Sequence, residues 1–304
     1  MDVGIVLPVE GEQAHRENIL AVARSAEGLG YHSVWVTDRL LKPLSHPGGY
    51  PYSQDRGQIA FRPDRNWLDP VAVMGLVAGI TSRVQIGTSV LVLPYRNPIV
   101  LAQEAASLDA LTGGRILLGV GIGWMAEEFA AVGVAVQERA RRSDEYIALM
   151  RKLWAHPGGT SFCGQYLGFT DMVLAARTAR PGGPPILIGG NSAAAFARVA
   201  RAGDGWAGVD LTPHDAAHVV SQLRALYAEQ GRDYRDQIIS VRLRLPAPSD
   251  PDRAAGIDAA EMAADLDSYK QAGVTLVIYD VMEWPDQLAA VEWIGAEVLS
   301  RQPS

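Results

Sequence analysis

Gly189-Gly190-Asn191-Ser192 stands between an apolar, strand-like run and the alanines (Ala193, Ala194, Ala195) that open a helical segment. A helix starting there would aim unpaired N–H groups outward, and the glycines would let an anion approach the main chain. Asn191 or Ser192 could add an amide or hydroxyl donor. That is the chemistry of a phosphate cradle, although an ordinary serine N-cap accounts for the same residues. The second glycine cluster is Gly119-Val120-Gly121-Ile122-Gly123-Trp124. It has no third glycine at the offset of a dinucleotide fingerprint. Its glycines either admit a flat ligand close to the main chain or bend the chain into the next helix. Asp38 offers a carboxylate for general-base work, with the Arg39 guanidinium beside it. The simpler reading is an ion pair in which Arg39 keeps Asp38 ionised. The six histidines are read as scattered, with no pair at ligand spacing, and Cys163 is the single cysteine. No metal site is therefore expected, and no nucleophile elbow or P-loop appears. Taken alone, these residues specify an anion site and not a reaction.

The elements that must position them alternate regularly. Val- and Ile-rich runs at 3–7, 33–37, 84–93, 116–121, 185–188, 205–209, 238–245 and 274–278 read as strands. Helical stretches at 12–29, 70–80, 98–111, 138–154, 193–202, 213–230, 259–272 and 285–299 follow them. Asn97-Pro98 supplies an N-cap with proline at the first helical position, and Gly113-Gly114 closes that helix. Strand then helix, eight times, means parallel strands buried on both faces. The fold class expected is α/β: a single-domain (β/α)8 TIM barrel over residues 1–304. Two connections are long: a loop after strand two (39–66), and an insertion between helix four and strand five (155–184). Loops of that length are usually functional lids or disordered. The first carries Arg39, Lys42, Arg56, Arg62 and Arg65 against Asp55 and Asp64, a basic rim suited to an anionic ligand.

Composition narrows the partners. The 304 residues carry 27 Lys and Arg against 34 Asp and Glu, a net charge of -7, which disfavours nucleic acid. No membrane-length apolar stretch or signal peptide is read, so a cytoplasmic protein with a small-molecule substrate is expected.

The motifs also carry a resemblance. Gly87-Thr88-Ser89-Val90-Leu91, Asn97-Pro98, Leu108-Asp109 with Gly113-Gly114-Arg115, and Leu118 to Trp124 with Glu127-Glu128-Phe129 resemble the bacterial luciferase-like superfamily of flavin- and deazaflavin-dependent oxidoreductases. Gly189-Gly190 with Gly203-Asp204-Gly205-Trp206 does the same. Thr37 to Leu41 and Leu93 to Pro98 look like the branch assigned to coenzyme F420. The resemblance implies a tricyclic ring at the barrel mouth and a non-prolyl cis peptide at Ser89-Val90 backing it. It places cofactor contacts at Asp38, Thr88, Ser89, Val90, Gly121, Gly123, Gly189, Gly190, Asn191 and Ser192. It implies a homodimer as well. Two departures stand out: Arg39 replaces the histidine of sugar-oxidising members, and Trp124 replaces their acid. Arginine cannot shuttle a proton near neutral pH. Arg39 would then hold a carboxylate or oxyanion, or pair with Asp38 or the cofactor tail, and Trp124 would form an apolar wall. Asp38, Arg39 and Trp124 are the catalytic candidates. The expected activity is F420-dependent hydride transfer to or from a small organic substrate. The alternatives are an FMN monooxygenase served by a flavin reductase, and a barrel that binds flavin without turnover.

Overall fold

The computed structural model describes residues 1–44, 65–246 and 258–301. Eight parallel strands form its centre: β1 (Asp2–Val6), β2 (Ser33–Val36), β3 (Gln85–Thr88), β4 (Ile116–Gly121), β5 (Ile186–Gly189), β6 (Gly205–Val209), β7 (Ile238–Arg244) and β8 (Leu276–Asp280). Neighbours pair in sequence order, and β8 returns to β1, with Asp2 opposite Leu276 and Ile5 opposite Tyr279. The barrel is closed, as the run of alternating elements implied. Trp35 fills its interior with Val6, Leu117, Leu187, Leu276 and Ile278. Gly4 and Gly87 make room for that indole: a Cβ there would come within 2.6 and 2.4 Å of it.

Eight helices wrap the strands: α1 (Arg16–Leu29), α2 (Pro70–Ala78), α3 (Pro98–Thr112), α4 (Arg139–Ala155), α5 (Ala193–Ala202), α6 (Pro213–Glu229), α7 (Ala259–Gln271) and α8 (Gln287–Glu297). Their starts follow local chemistry. Asp69 and Asn97 each accept two amide hydrogen bonds ahead of a proline in the first turn of α2 and α3. Among the described residues no helix is long and apolar enough to cross a membrane.

The structure departs from expectation in three places. The third run, read as one strand over 84–93, is broken: β3 ends at Thr88 and a short strand, Leu91–Val92, continues beside β4. The Ser89-Val90 peptide between them is cis. A short helix, Ala126–Ala131, follows β4. The insertion over 155–184 is neither lid nor disorder, because it folds into an antiparallel hairpin of Thr160–Cys163 and Gly168–Met172. Glu145 on α4 pins the turn by accepting from the amides of Gln165, Tyr166 and Leu167 at 2.6 to 2.9 Å. A helix-to-strand connection also lies at the opposite end of a barrel from the strand C-termini where active sites form.

Candidate active site at the barrel mouth

The C-terminal ends of the strands bring most of the singled-out residues together. The bend at Ser89-Val90 sits on the glycines of its neighbours. A Cβ on Gly119 would lie 1.9 Å from the Thr88 carbonyl oxygen, one on Gly121 2.6 Å from the Val90 side chain, and one on Gly189 3.0 Å from it. The glycines of β4 thus give room to the bend itself, which answers the question left open by their spacing. Thr88 is fully buried and donates its hydroxyl to the Gly119 carbonyl at 2.7 Å, so it braces the bend from behind. Half-buried Val90 is left facing the mouth. Gly123 takes a positive φ of 76° and leads the chain toward Trp124.

On the far side, Gly190 (φ 121°) turns the chain out of β5 and Ser192 caps α5. The Ser192 Oγ accepts from the Ala195 amide at 3.2 Å and keeps its own O–H to donate. Asn191 Nδ2 donates to the Val209 carbonyl at 3.3 Å. Ala193 and Ala194 are exposed, and first-turn amides have no carbonyl one turn back to bond. The serine cap thus leaves the first-turn amides of α5 facing outward, open to the approach of an anion.

Asp38 and Arg39 do not pair, contrary to the expected ion pair. The Asp38 carboxylate turns inward, wholly buried, and accepts from Arg96 Nη2 at 2.8 Å and from the Val92 amide at 2.8 Å. Burial pushes its pKa up, and Arg96 and the Val92 amide oppose that. Enclosed in this way, Asp38 ties the end of β2 to the segment after the bend and has no access to a ligand through its side chain. Arg39 instead donates to Glu128 at 2.5 Å. Its guanidinium carbon lies 5.4 Å from the Trp67 ring centre and 5.5 Å from that of Trp124.

Glu128 is the residue whose role the sequence did not reveal. Nearly inaccessible, it also accepts from the amides of Leu40 and Leu41 at 2.9 and 3.0 Å and from the Tyr95 hydroxyl at 3.2 Å. One carboxylate fixes the start of the loop after β2. Arg39 is consequently not a free cation of a basic rim. Lys42 and Arg65 are joined through the Arg65 carbonyl, while Asp55, Arg56, Arg62 and Asp64 lie outside the described residues.

Three more polar groups close the mouth. Arg242 on β7 donates to the Ser89 carbonyl at 2.6 Å and lies 3.8 Å from Asp280 at the end of β8. Burial raises the pKa of Asp280 against the pull of Arg242. Glu10, in a two-residue strand after β1 paired with Asn66–Trp67, is raised as well, chiefly by burial and then by Asp280. A separate cavity of about 300 Å³ lies at the other end of the barrel, among Asp2, His32, Gln85, Arg235 and Thr275. That end is the one barrel enzymes leave to stability.

A model of the luciferase-like monooxygenase family matches residues 1–278. The chain belongs to that family. It is 37% identical to an F420-dependent glucose-6-phosphate dehydrogenase of Amycolatopsis mediterranei over 64% of its own length and 54% of the relative's. It is 32% identical to an F420-dependent hydroxymycolic acid dehydrogenase of Mycobacterium tuberculosis, over 87% of this chain and 66% of that one. Its fold superposes on an F420-dependent secondary alcohol dehydrogenase solved with an F420-acetone adduct (TM-score 0.79, 19% identity, 99% of each chain). The monooxygenase RslO1 of Streptomyces bottropensis is as similar in fold (TM-score 0.77, 20% identity, 99% of each chain). The chain is therefore a luciferase-like oxidoreductase on an eight-stranded barrel.

Proposed function

We propose that this oxidoreductase uses coenzyme F420 and transfers hydride between its deazaflavin and a small, uncharged organic substrate. The observation that carries the cofactor choice is the identity to two relatives named as F420-dependent dehydrogenases. The residues present fit such a group: Gly190 leaves main chain open where a Cβ would stand 3.1 Å from the Ala195 methyl, ahead of the exposed first turn of α5. When bound, the ring supplies the hydride chemistry. The amides after Gly190 and the Ser192 hydroxyl would hold its phosphate, and Val90 would back the ring. Arg39, held by Glu128 between two indoles, forms a rigid wall that excludes water. Glu10, whose raised pKa keeps a proton on it to higher pH, is a group among the described residues suited to proton exchange at the mouth.

The uncharged substrate is supported by the charge pairing. Arg39 is committed to Glu128, Arg96 to Asp38 and Asp69, Arg242 to Asp280 and Arg244 to Asp210. An anionic substrate that reached any of these four arginines would have to displace a carboxylate.

Parallel fluorescence titrations with F420 and FMN test the cofactor. Saturable F420 binding at micromolar concentration or below is expected, with FMN weaker. Binding of FMN without F420, accompanied by oxygen uptake when reduced FMN and substrate are supplied, would replace this reading with the monooxygenase.

A further inference from the structure

His214 and His218 stand four residues apart on α6, so both rings rise from one face of the helix. Both are exposed, their Nε2 atoms are 3.1 Å apart, and their rings meet at 87°. The expectation that no histidine pair has ligand spacing is thereby corrected: an interval of four is helical ligand spacing once the segment is a helix. Nothing in the proposed hydride chemistry uses this pair.

Two nitrogens 3.1 Å apart, each 2.0–2.1 Å from one ion, subtend about 100° at it. That angle lies between the tetrahedral and the cis-octahedral values. The helix that presents the rings is already held in place. Thr212 caps it, accepting from the Asp215 amide at 3.2 Å and donating to the Asp215 carboxylate at 2.7 Å. Its opposite face is anchored through buried Ala216, Val219 and Val220. Little ordering of the backbone would therefore accompany binding. Among the described residues there is no group of three His, Cys, Asp or Glu able to hold a metal, so water would complete the coordination.

We propose that His214 and His218 form a two-imidazole surface site for a divalent transition-metal ion. Imidazole suits the later first-row ions, and copper is favoured over nickel and zinc. Because α6 leaves the C-terminal end of β6, the site lies at the same end of the barrel as the phosphate cradle, one strand–helix unit further on. The ion would bridge the first two turns of α6.

The test is calorimetric titration of the untagged protein with Cu²⁺, Ni²⁺ and Zn²⁺ salts, alongside metal-dependent thermal shifts. One ion per chain is expected, tightest for Cu²⁺. His214→Ala and His218→Ala should each weaken binding at least tenfold and remove the metal-dependent rise in Tm. His156→Ala, at an isolated exposed histidine, should change neither. Absence of saturable binding by all three ions, or binding left unaltered by both α6 variants, overturns the proposal. Both side chains are exposed, so neither substitution threatens the fold.

Discussion

Ser192→Asp isolates the proposed phosphate cradle because it changes charge and little else. Aspartate caps helices as well as serine does, so α5 keeps its start and the Ala195 amide keeps a partner. The new carboxylate would stand beside a phosphate held by the first-turn amides, and a separation of roughly 5 Å sets the scale. At that distance two unit charges repel by about 1 kcal/mol in a water-like dielectric and about 3 kcal/mol at an effective dielectric of 20. F420 affinity should therefore fall about 5- to 150-fold, toward the lower end because Ser192 is exposed. The loss should shrink with added salt, since the screening length is about 8–10 Å at 0.1–0.15 M. Ser192→Asn, an equally good but neutral cap, should bind F420 nearly as the wild type does. A deazaflavin fragment lacking the phosphate should not distinguish the three proteins. Fluorescence titration reads all of these, with circular dichroism checking α5. An aspartate variant that binds F420 within twofold of wild type would show that the phosphate is held elsewhere.

Glu128→Ala removes the buried carboxylate that holds Arg39, the amides of Leu40 and Leu41 and the Tyr95 hydroxyl, and thermal unfolding should record a loss of about 3–5 kcal/mol. Gly119→Ala forces a methyl against the Thr88 carbonyl, 1.9 Å away, so this single methyl should lower the unfolding midpoint and weaken F420 binding together. For Glu10 the sign follows from linkage. Its folded pKa lies above the unfolded 4.5, so its contribution to stability is full below that value and is lost as pH rises through the folded one. Glu10→Gln should flatten the stability–pH curve above about pH 4.5 and be the more stable protein near pH 8, as denaturant titrations at several pH values would report.

Which parts of this molecule could be read from its residues depends on how local their physics is. Parallel strands buried on both faces show themselves as Val/Ile runs, and Asn97-Pro98 or Ser192 announces a helix start through bonds two or three residues long. The hairpin within 155–184 has no such signature. Phe162 and Phe169 stack across it, and its turn is held by Glu145, some 20 residues earlier. The partners of Asp38 and Arg39 were hidden by distance along the chain, since Arg96 is 58 residues from the first and Glu128 is 89 from the second. Sequence adjacency of Asp38 and Arg39 suggested a pair, but each side chain is taken by a partner far along the chain. The interval between His214 and His218 was in plain view, and it became informative only when set on a helix with both rings exposed.

The two departures from the sugar-oxidising pattern then reduce to one. By the resemblance, Arg39 takes the place of their histidine and Trp124 that of their acid, and here the guanidinium carbon lies 5.5 Å from the Trp124 ring centre. A histidine at position 39 would leave Glu128 without its cation, and an acid at 124 would set a second carboxylate beside the Glu128–Arg39 pair. Arg39 and Trp124 thus share one enclosure, which Glu128 and Trp67 complete. An arginine held in this way stays protonated and still, so it supplies electrostatics and shape and no proton. On the function proposed above, proton exchange at this mouth falls to a group whose pKa burial raises. Asp280 meets that condition, but it is enclosed beside Arg242. Glu10 is the more accessible of the two, and it shares its surroundings electrostatically with Asp280, Lys42 and Arg39. A substrate whose reaction needs a strong, committed acid would be poorly served by such an arrangement. One that accepts hydride at a polarised double bond and takes its proton late would suit it.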